Sequence, residues 1–203
     1  MKNYKKLWRY GLLRRLTWGV NISISPTFRC NYDCEYCSMK LQNGKRKITS
    51  EVGIDEWLHL VDHFPFRLRE VVISGGEPTL VSYFADLVNA LLKRGKMVTI
   101  FTNLSNERLF DCTPSPRLRI AATFHPSPSV NFAQARKGLF LDRVRMLKGA
   151  GYQITVDEIG EKKLPISTDL KTKLTDGEQT KIYTMLRVAP DLSIYISCYD
   201  LFN

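Results

Sequence analysis

The sequence has no long apolar run. No segment approaches the ~20 uninterrupted apolar residues that a membrane-spanning helix needs. The N-terminus has a basic start, but its apolar stretch covers only residues 11–13 before Arg14 and Arg15 interrupt it, so it makes a poor secretory signal. These two absences predict a cytoplasmic protein.

Linkers and internal repeats are also absent. No stretch rich in Pro, Gly or Ser divides the chain, and its 203 residues, 44% of them hydrophobic, suffice for one substantial core. We therefore predict one core domain over residues 20–203. A basic arm or helix over residues 1–19 precedes it.

Acidic residues are few: 20 Asp and Glu stand against 30 Lys and Arg, giving a net charge of +10. A basic surface attracts anions in general, without identifying which. Within residues 2–15 six basic side chains alternate with aromatic ones, and no acid intervenes: Lys2, Lys5, Lys6, Arg9, Arg14 and Arg15. This segment is interpreted either as a solvated arm packed through its aromatic residues or as a docking site for an anionic partner.

Strand-like and helix-like periods alternate along the chain. Strands are predicted over 20–26, 68–76, 96–103, 117–125, 152–159 and 191–200, and helices over 50–64 with Ser50 as cap, near 105–110, and over 83–95, 134–151 and 177–188. Such alternation favours βαβ units with parallel strands. Six strands are too few for a closed eight-fold barrel of ~250 residues. The predicted fold is therefore α/β, an open partial (βα)6 TIM-like barrel with a parallel sheet and a site at the carboxyl ends of its strands.

Three of the five cysteines lie within eight positions, at Cys30, Cys34 and Cys37, and a fourth is missing. A closed structural zinc site needs four ligands. The remaining candidates stand at no recognisable zinc spacing: His59, His63, His125, Cys112, Cys198 or a carboxylate. Three thiolates suit a cubane iron–sulfur cluster, in which one iron stays open to a substrate or cofactor. Cys112 and Cys198 stand alone and are interpreted as small core residues.

The spacing Cys30-x3-Cys34-x2-Cys37, with Tyr36 before the last cysteine, resembles the signature of the radical S-adenosylmethionine (radical SAM) family. Gly75-Gly76-Glu77-Pro78 matches the GGEP motif of that family, and each motif follows a predicted strand. The resemblance implies a [4Fe-4S] cluster held by the three cysteines, with S-adenosylmethionine (SAM) as second cofactor. It also implies reductive cleavage of SAM to a 5′-deoxyadenosyl radical, which takes a hydrogen atom from a substrate.

The resemblance implies further cofactor contacts. It places Gly75, Gly76 and Pro78 beside SAM, Glu77 near its amino group, Thr102 and Asn103 at the end of the third strand, Thr123 near its ribose or carboxylate, and Tyr36 near its adenine. For Thr102 and Thr123 the alternative is ordinary strand packing. His125, at the end of the fourth strand, is the candidate catalytic residue, through a substrate contact or proton transfer, with a structural histidine as the alternative.

The substrate is less well defined. Ser38 and Met39 follow Cys37, whereas radical SAM enzymes that make 7-carboxy-7-deazaguanine have Asp and a magnesium-binding Thr there. Many peptide-modifying members append a cysteine-rich domain for auxiliary clusters, and we expect none here. The segment RCNYDCEYC resembles the nucleotide-modifying antiviral members, which favours a small-molecule or nucleotide substrate. A peptide- or protein-modifying enzyme, and a non-catalytic iron–sulfur or nucleic-acid-binding module, remain alternatives. The basic charge could instead dock an acidic electron donor such as flavodoxin or ferredoxin.

Overall fold

A computed structural model describes residues 20–34, 37, 50–65, 67–125, 130–158, 186–192 and 194–195. Strands and helices alternate over these residues, as β1 Val20–Ile24, α1 Ile54–Asp62, β2 Leu68–Ile73, α2 Phe84–Lys93, β3 Met97–Thr102, β4 Leu118–Phe124, α3 Val130–Gly149, β5 Gln153–Glu158, β6 Leu186–Val188 and β7 Ile194–Tyr195. Two 3-10 helices, Pro78–Leu80 and Glu107–Asp111, follow β2 and β3. The predicted arm, residues 1–19, lies outside the described residues.

The strands form one sheet in the order β5-β4-β3-β2-β1-β6-β7. Every pair from β5 to β6 is parallel, and β7 is antiparallel to β6. The predicted α/β class with a parallel sheet is therefore confirmed. Because β1 to β5 are neighbours in chain order, the loops after β1, β2, β3 and β4 emerge side by side at one edge of the sheet.

The core lies between one face of this sheet and the helices. Ile24, Ile73, Ile100 and Ile120 lie in register across four adjacent strands, and none is more than 1% exposed. Side chains two apart on a strand share a face, so this row continues above and below through other buried residues. Because these four residues are in register, β1 to β4 end at similar positions along the sheet, and the loops that follow them begin side by side.

Near the C-terminus one predicted element was placed wrongly and another has the opposite orientation. Residues 186–188 were predicted as the end of a helix over 177–188, yet they form β6, which pairs in parallel with β1. The last strand, predicted over 191–200, covers only 194–195 among the described residues and runs antiparallel. A run as short as Leu186-Arg187-Val188 fits the hydrophobic period of a helix as well as that of a strand. Its pairing with β1 depends on contacts between residues distant in sequence.

The remaining helices begin close to their predicted positions. The predicted cap Ser50 does not cap α1, which starts at Ile54 with Gly53 as its N-cap and no side-chain bond there. The short helix expected near 105–110 is the 3-10 helix Glu107–Asp111, capped by Asn106. Within the described residues, no helix combines the length and apolarity that crossing a bilayer would require.

Candidate functional site

The segment after β2 is bonded along the segment that leads into the cysteines. The Gly76 N–H donates to the Thr27 carbonyl at 3.0 Å, and the Glu77 N–H donates to the Arg29 carbonyl at 2.9 Å. These bonds continue the parallel pairing of β1 and β2 beyond the strands themselves. The two sequence motifs are therefore in direct contact, one residue before Cys30.

The glycine pair is required by this close approach. A Cβ atom at Gly76 would lie 2.1 Å from the Arg29 carbonyl oxygen, and one at Gly75 would lie 2.4 Å from the Thr27 carbonyl oxygen. Gly75 also has φ of 126°, which side chains rarely tolerate. Both glycines were predicted to allow the close approach of SAM. The protein's own backbone occupies the space that a side chain at either glycine would need, so the glycines are required even without SAM.

Glu77 is 1% exposed, and both oxygens of its carboxylate accept hydrogen bonds. Its Oε1 accepts from the Thr79 N–H at 3.1 Å, the Thr79 hydroxyl at 2.6 Å and the Thr102 hydroxyl at 2.8 Å. Its Oε2 accepts from the Asn103 N–H at 2.8 Å. Burial raises the pKa of Glu77, and these four bonds act in the opposite direction. The carboxylate thus joins the end of β2 to the end of β3. Oε1 accepts three hydrogen bonds and Oε2 only one, so Oε2 could accept a further bond more readily than Oε1.

The loop after β1 that carries Cys30, Cys34 and Cys37, called the cysteine loop below, offers three free thiols. Cys30 is exposed, whereas Cys34 and Cys37 are half-buried. Although the residue as a whole is exposed, the surrounding protein partly desolvates the Cys30 sulfur and so raises its pKa. The N–H of Tyr32 at 3.4 Å lowers this pKa, whereas the charges of Glu77 and the other two cysteines raise it. Over the described residues no three His, Cys, Asp or Glu side chains already form a metal site. The donor chemistry fits an iron–sulfur cluster, and the thiols would have to draw together to hold it.

A polar clamp, made of Thr27, Arg29 and Glu51, ties the two ends of the cysteine loop together. Glu51 accepts from the buried hydroxyl of Thr27 and from Arg29, whose Nε and Nη2 lie 3.1 Å and 2.7 Å from the carboxylate oxygens. Burial alone would raise the pKa of Glu51, but the bonds from Arg29 and Thr27 outweigh it and lower that pKa. This clamp was not predicted from the sequence, because neither a motif nor a periodicity pairs these residues.

The ends of β4 and β5 supply the remaining predicted residues. Thr123 is half-buried and in register with the exposed Asp157. His125 is half-buried, and its ring meets that of Tyr32 edge-on with 6.1 Å between centroids. Burial lowers the pKa of His125. His125 therefore lies against the cysteine loop, whereas the predicted adenine contact, Tyr36, is outside the described residues.

The structure brings most of the predicted site residues to one edge of the sheet. Pro78 is buried and begins the 3-10 helix that Glu77 caps. Thr102 faces the core and is 4% exposed, with its hydroxyl between Glu77 and the Leu104 N–H. Asn103 is 6% exposed and faces Cys30. Their roles toward a cofactor stay predictions.

The family comparison matches this same part of the chain. The model of the radical SAM superfamily matches residues 24–121, which include the cysteine loop, the GGEP segment and the end of β3. This part of the chain matches the radical SAM superfamily. Members of the superfamily use a [4Fe-4S] cluster and SAM, as the sequence analysis expected.

Related radical SAM proteins cover parts of the chain. An S-adenosylmethionine-dependent nucleotide dehydratase of Selenomonas ruminantium is 29% identical over 90 residues, 43% of this chain and 30% of that protein. A GTP 3′,8-cyclase of Synechococcus elongatus is 34% identical over 71 residues, 34% of this chain and 22% of the cyclase. The chain thus matches less than a third of each relative's length.

A solved structure supports the fold of this chain. Streptococcus suis SuiB bound to its precursor peptide SuiA superposes with a TM-score of 0.57 at 18% identity, over 79% of this chain and 39% of SuiB. Radical SAM proteins of this kind have partial TIM barrels, and the predicted open partial barrel is confirmed.

Proposed function

We propose that this chain is a radical SAM enzyme in which Cys30, Cys34 and Cys37 hold a [4Fe-4S] cluster. When bound, the cluster and SAM supply reductive cleavage of SAM to a 5′-deoxyadenosyl radical that takes a hydrogen atom from the substrate. The single observation that carries the proposal is the hydrogen-bonded contact of the Gly76-Glu77 segment with the residues just before Cys30. Three protein thiolates leave one iron without a protein ligand, which is the position SAM would take.

The proposed SAM-binding residues lie at the carboxyl ends of β2, β3 and β4 and in the segments that directly follow β2 and β3. The backbone of Gly75, Gly76 and Pro78 forms the edge after β2. Thr102 and Asn103 follow on β3, and Thr123 on β4. Glu77 would act chiefly by fixing the ends of β2 and β3, because its carboxylate is buried and already accepts four bonds. His125 is the candidate proton-transfer residue, and its lowered pKa favours the neutral imidazole at pH 7.

A nucleotide or another small molecule is the substrate class that we favour. Two relatives are named for reactions of nucleotides, and the net charge of +10 suits an anionic substrate. SuiB, which was crystallised with a precursor peptide, shares only the fold, so a peptide or protein substrate is the alternative. The basic surface would also suit an acidic flavodoxin or ferredoxin as electron donor in the cytoplasm.

The test is anaerobic reconstitution of wild type, Cys34→Ala and Cys112→Ala. Cys112 is buried and lies apart from the cysteine loop, so Cys112→Ala controls for the loss of any one thiol. We expect wild type and Cys112→Ala to bind four irons and to form 5′-deoxyadenosine from SAM under a strong reductant. Cys34→Ala should do neither. An intact wild-type cluster that leaves SAM uncleaved would refute catalysis, and zinc in place of iron would favour a non-catalytic module.

The substrate class is tested next on the active protein. Nucleoside triphosphates and short peptides would each be added, and the yield of 5′-deoxyadenosine compared with that from SAM alone. A rise with nucleotides, together with a new nucleotide product by mass spectrometry, supports the favoured class. A rise confined to peptides would replace it with the alternative.

A further inference from the structure

The Asn103 side chain lies between the end of β3 and the first cysteine. Its Nδ2 is 3.9 Å from the Cys30 sulfur and 3.2 Å from the Asn31 Oδ1, and its Oδ1 accepts from the Ser105 N–H at 2.9 Å. Its backbone N–H donates to Glu77. Every polar group of Asn103 except its carbonyl is thus engaged at a position only 6% exposed.

These contacts fix which end of the amide faces Cys30. The Ser105 N–H needs an acceptor, and the Asn103 Oδ1 supplies it two residues away, in a local turn. Rotating the amide by half a turn would place its NH2 group against the Ser105 N–H. It would also place Oδ1 against the Asn31 oxygen. The nitrogen therefore faces the sulfur of Cys30.

Cys30 thus receives two N–H groups, one from Tyr32 within its own loop and one from Asn103 on another strand. We propose that Asn103 is a positioning residue that donates a hydrogen bond to the Cys30 thiolate and raises the reduction potential of the bound cluster. Reduction adds negative charge to the cluster and its sulfurs, so a donor stabilises the reduced form more than the oxidised form. The inference rests on the proposed cluster at the three cysteines, and it is separate from any contact between Asn103 and SAM.

The test variant is Asn103→Ser, because a serine hydroxyl can still accept from the Ser105 N–H but is too short to reach the sulfur. The matched control is Asn106→Ser. Asn106 makes the same kind of turn, with its Oδ1 accepting from the Arg108 N–H at 2.9 Å, at the cap of the following 3-10 helix. Asn103→Asp is the second test variant, since it keeps the acceptor and replaces the donor by an acceptor.

The measurement is the midpoint potential of the reconstituted cluster without SAM, from an EPR-monitored redox titration, with iron and sulfide determined for each sample. We expect a shift to more negative potential in Asn103→Ser, a larger one in Asn103→Asp, and wild-type behaviour in Asn106→Ser. SAM is absent, so loss of a SAM contact cannot produce the shift.

Four outcomes would overturn the inference. These are an unchanged potential in Asn103→Ser at equal cluster content, an equal shift in Asn106→Ser, a shift to higher potential, or loss of the cluster from both Asn103 variants, which would make the residue purely structural. Failure of wild type to form a cluster would instead overturn the proposed function. The two proposals therefore fail in distinguishable ways.

Discussion

Gly76→Ala should separate the two motifs of the site. The added Cβ would lie 2.1 Å from the carbonyl oxygen and 2.6 Å from the carbonyl carbon of Arg29, and 2.7 Å from the carbonyl oxygen of Phe28. Non-bonded contacts to a Cβ atom essentially never fall below 3.0 Å. All three atoms are backbone, so no side chain can rotate away, and the segment before Cys30 must move by about 0.9 Å or more.

The expected cost follows from the bonds across this contact. Movement of that size breaks or weakens the bonds from the Gly76 N–H to Thr27 and from the Glu77 N–H to Arg29. Each backbone hydrogen bond contributes about 0.5–1.5 kcal/mol, so the free energy of unfolding should fall by about 1–3 kcal/mol. Because the displaced segment carries Cys30, iron binding should fall as well.

The assay is urea denaturation of the cluster-free protein, followed by iron determination after anaerobic reconstitution. Gly138→Ala is the control: a Cβ there has no neighbour within 4 Å, and the residue lies inside α3. Alanine in place of a helical glycine should stabilise by about 0.5–1 kcal/mol and leave the iron content unchanged. If Gly76→Ala matches wild type in both stability and iron content, the argued contact between the motifs does not exist.

Three further outcomes are expected. Thr102→Val removes a donor to the Glu77 carboxylate and leaves the Leu104 N–H without its acceptor. The free energy of unfolding, measured with denaturant, should therefore fall by about 2–4 kcal/mol. A fall below about 0.5 kcal/mol, the level of surface substitutions, would contradict this. Tyr152→Phe removes a hydroxyl whose single proton is shared between the backbone carbonyls of Phe110 and Cys112, so the same assay should show a loss of about 1–3 kcal/mol with the iron content preserved. Because the pKa of His125 is lowered by burial, the stability advantage of wild type over His125→Asn should shrink as the pH falls below the unfolded value of about 6.5. Unfolding at pH 7.5 and 5.5 measures it, and an unchanged difference would show that His125 does not titrate differently on folding.

The sequence was most informative where the determinant is local. The run Val71-Val72-Ile73, ended by glycines, predicts a buried parallel strand and the turn after it, and β2 ends at Ile73. The cysteine spacing and the GGEP residues likewise lie within short segments, so their presence could be recognised without knowing the fold. The alternation of strands and helices was enough to predict the class, because βαβ units leave few ways to arrange parallel strands.

Contacts between distant segments were beyond the sequence. Glu51 stands more than twenty residues from Thr27 and Arg29, and its only local signal is an acid just before a helix, which names no partner. The position of β6 beside β1 has the same origin, since strand pairing depends on the whole sheet. The reason for the two glycines also became clear only from the backbone carbonyls that they face, those of Thr27 for Gly75 and Arg29 for Gly76.

Glu77 explains why these distant contacts form one unit. A buried carboxylate costs several kcal/mol unless donors surround it, and losing one donor costs more than an average hydrogen bond because the charge stays buried. Its donors come from the turn after β2 and from the end of β3, while its own N–H holds the segment before Cys30. Asn103→Ser keeps the backbone donor to Glu77, whereas Thr102→Val removes a donor. Thr102→Val should therefore lower stability, whereas Asn103→Ser should change the cluster potential, so the framework and the redox site can be perturbed separately even though they share adjacent residues.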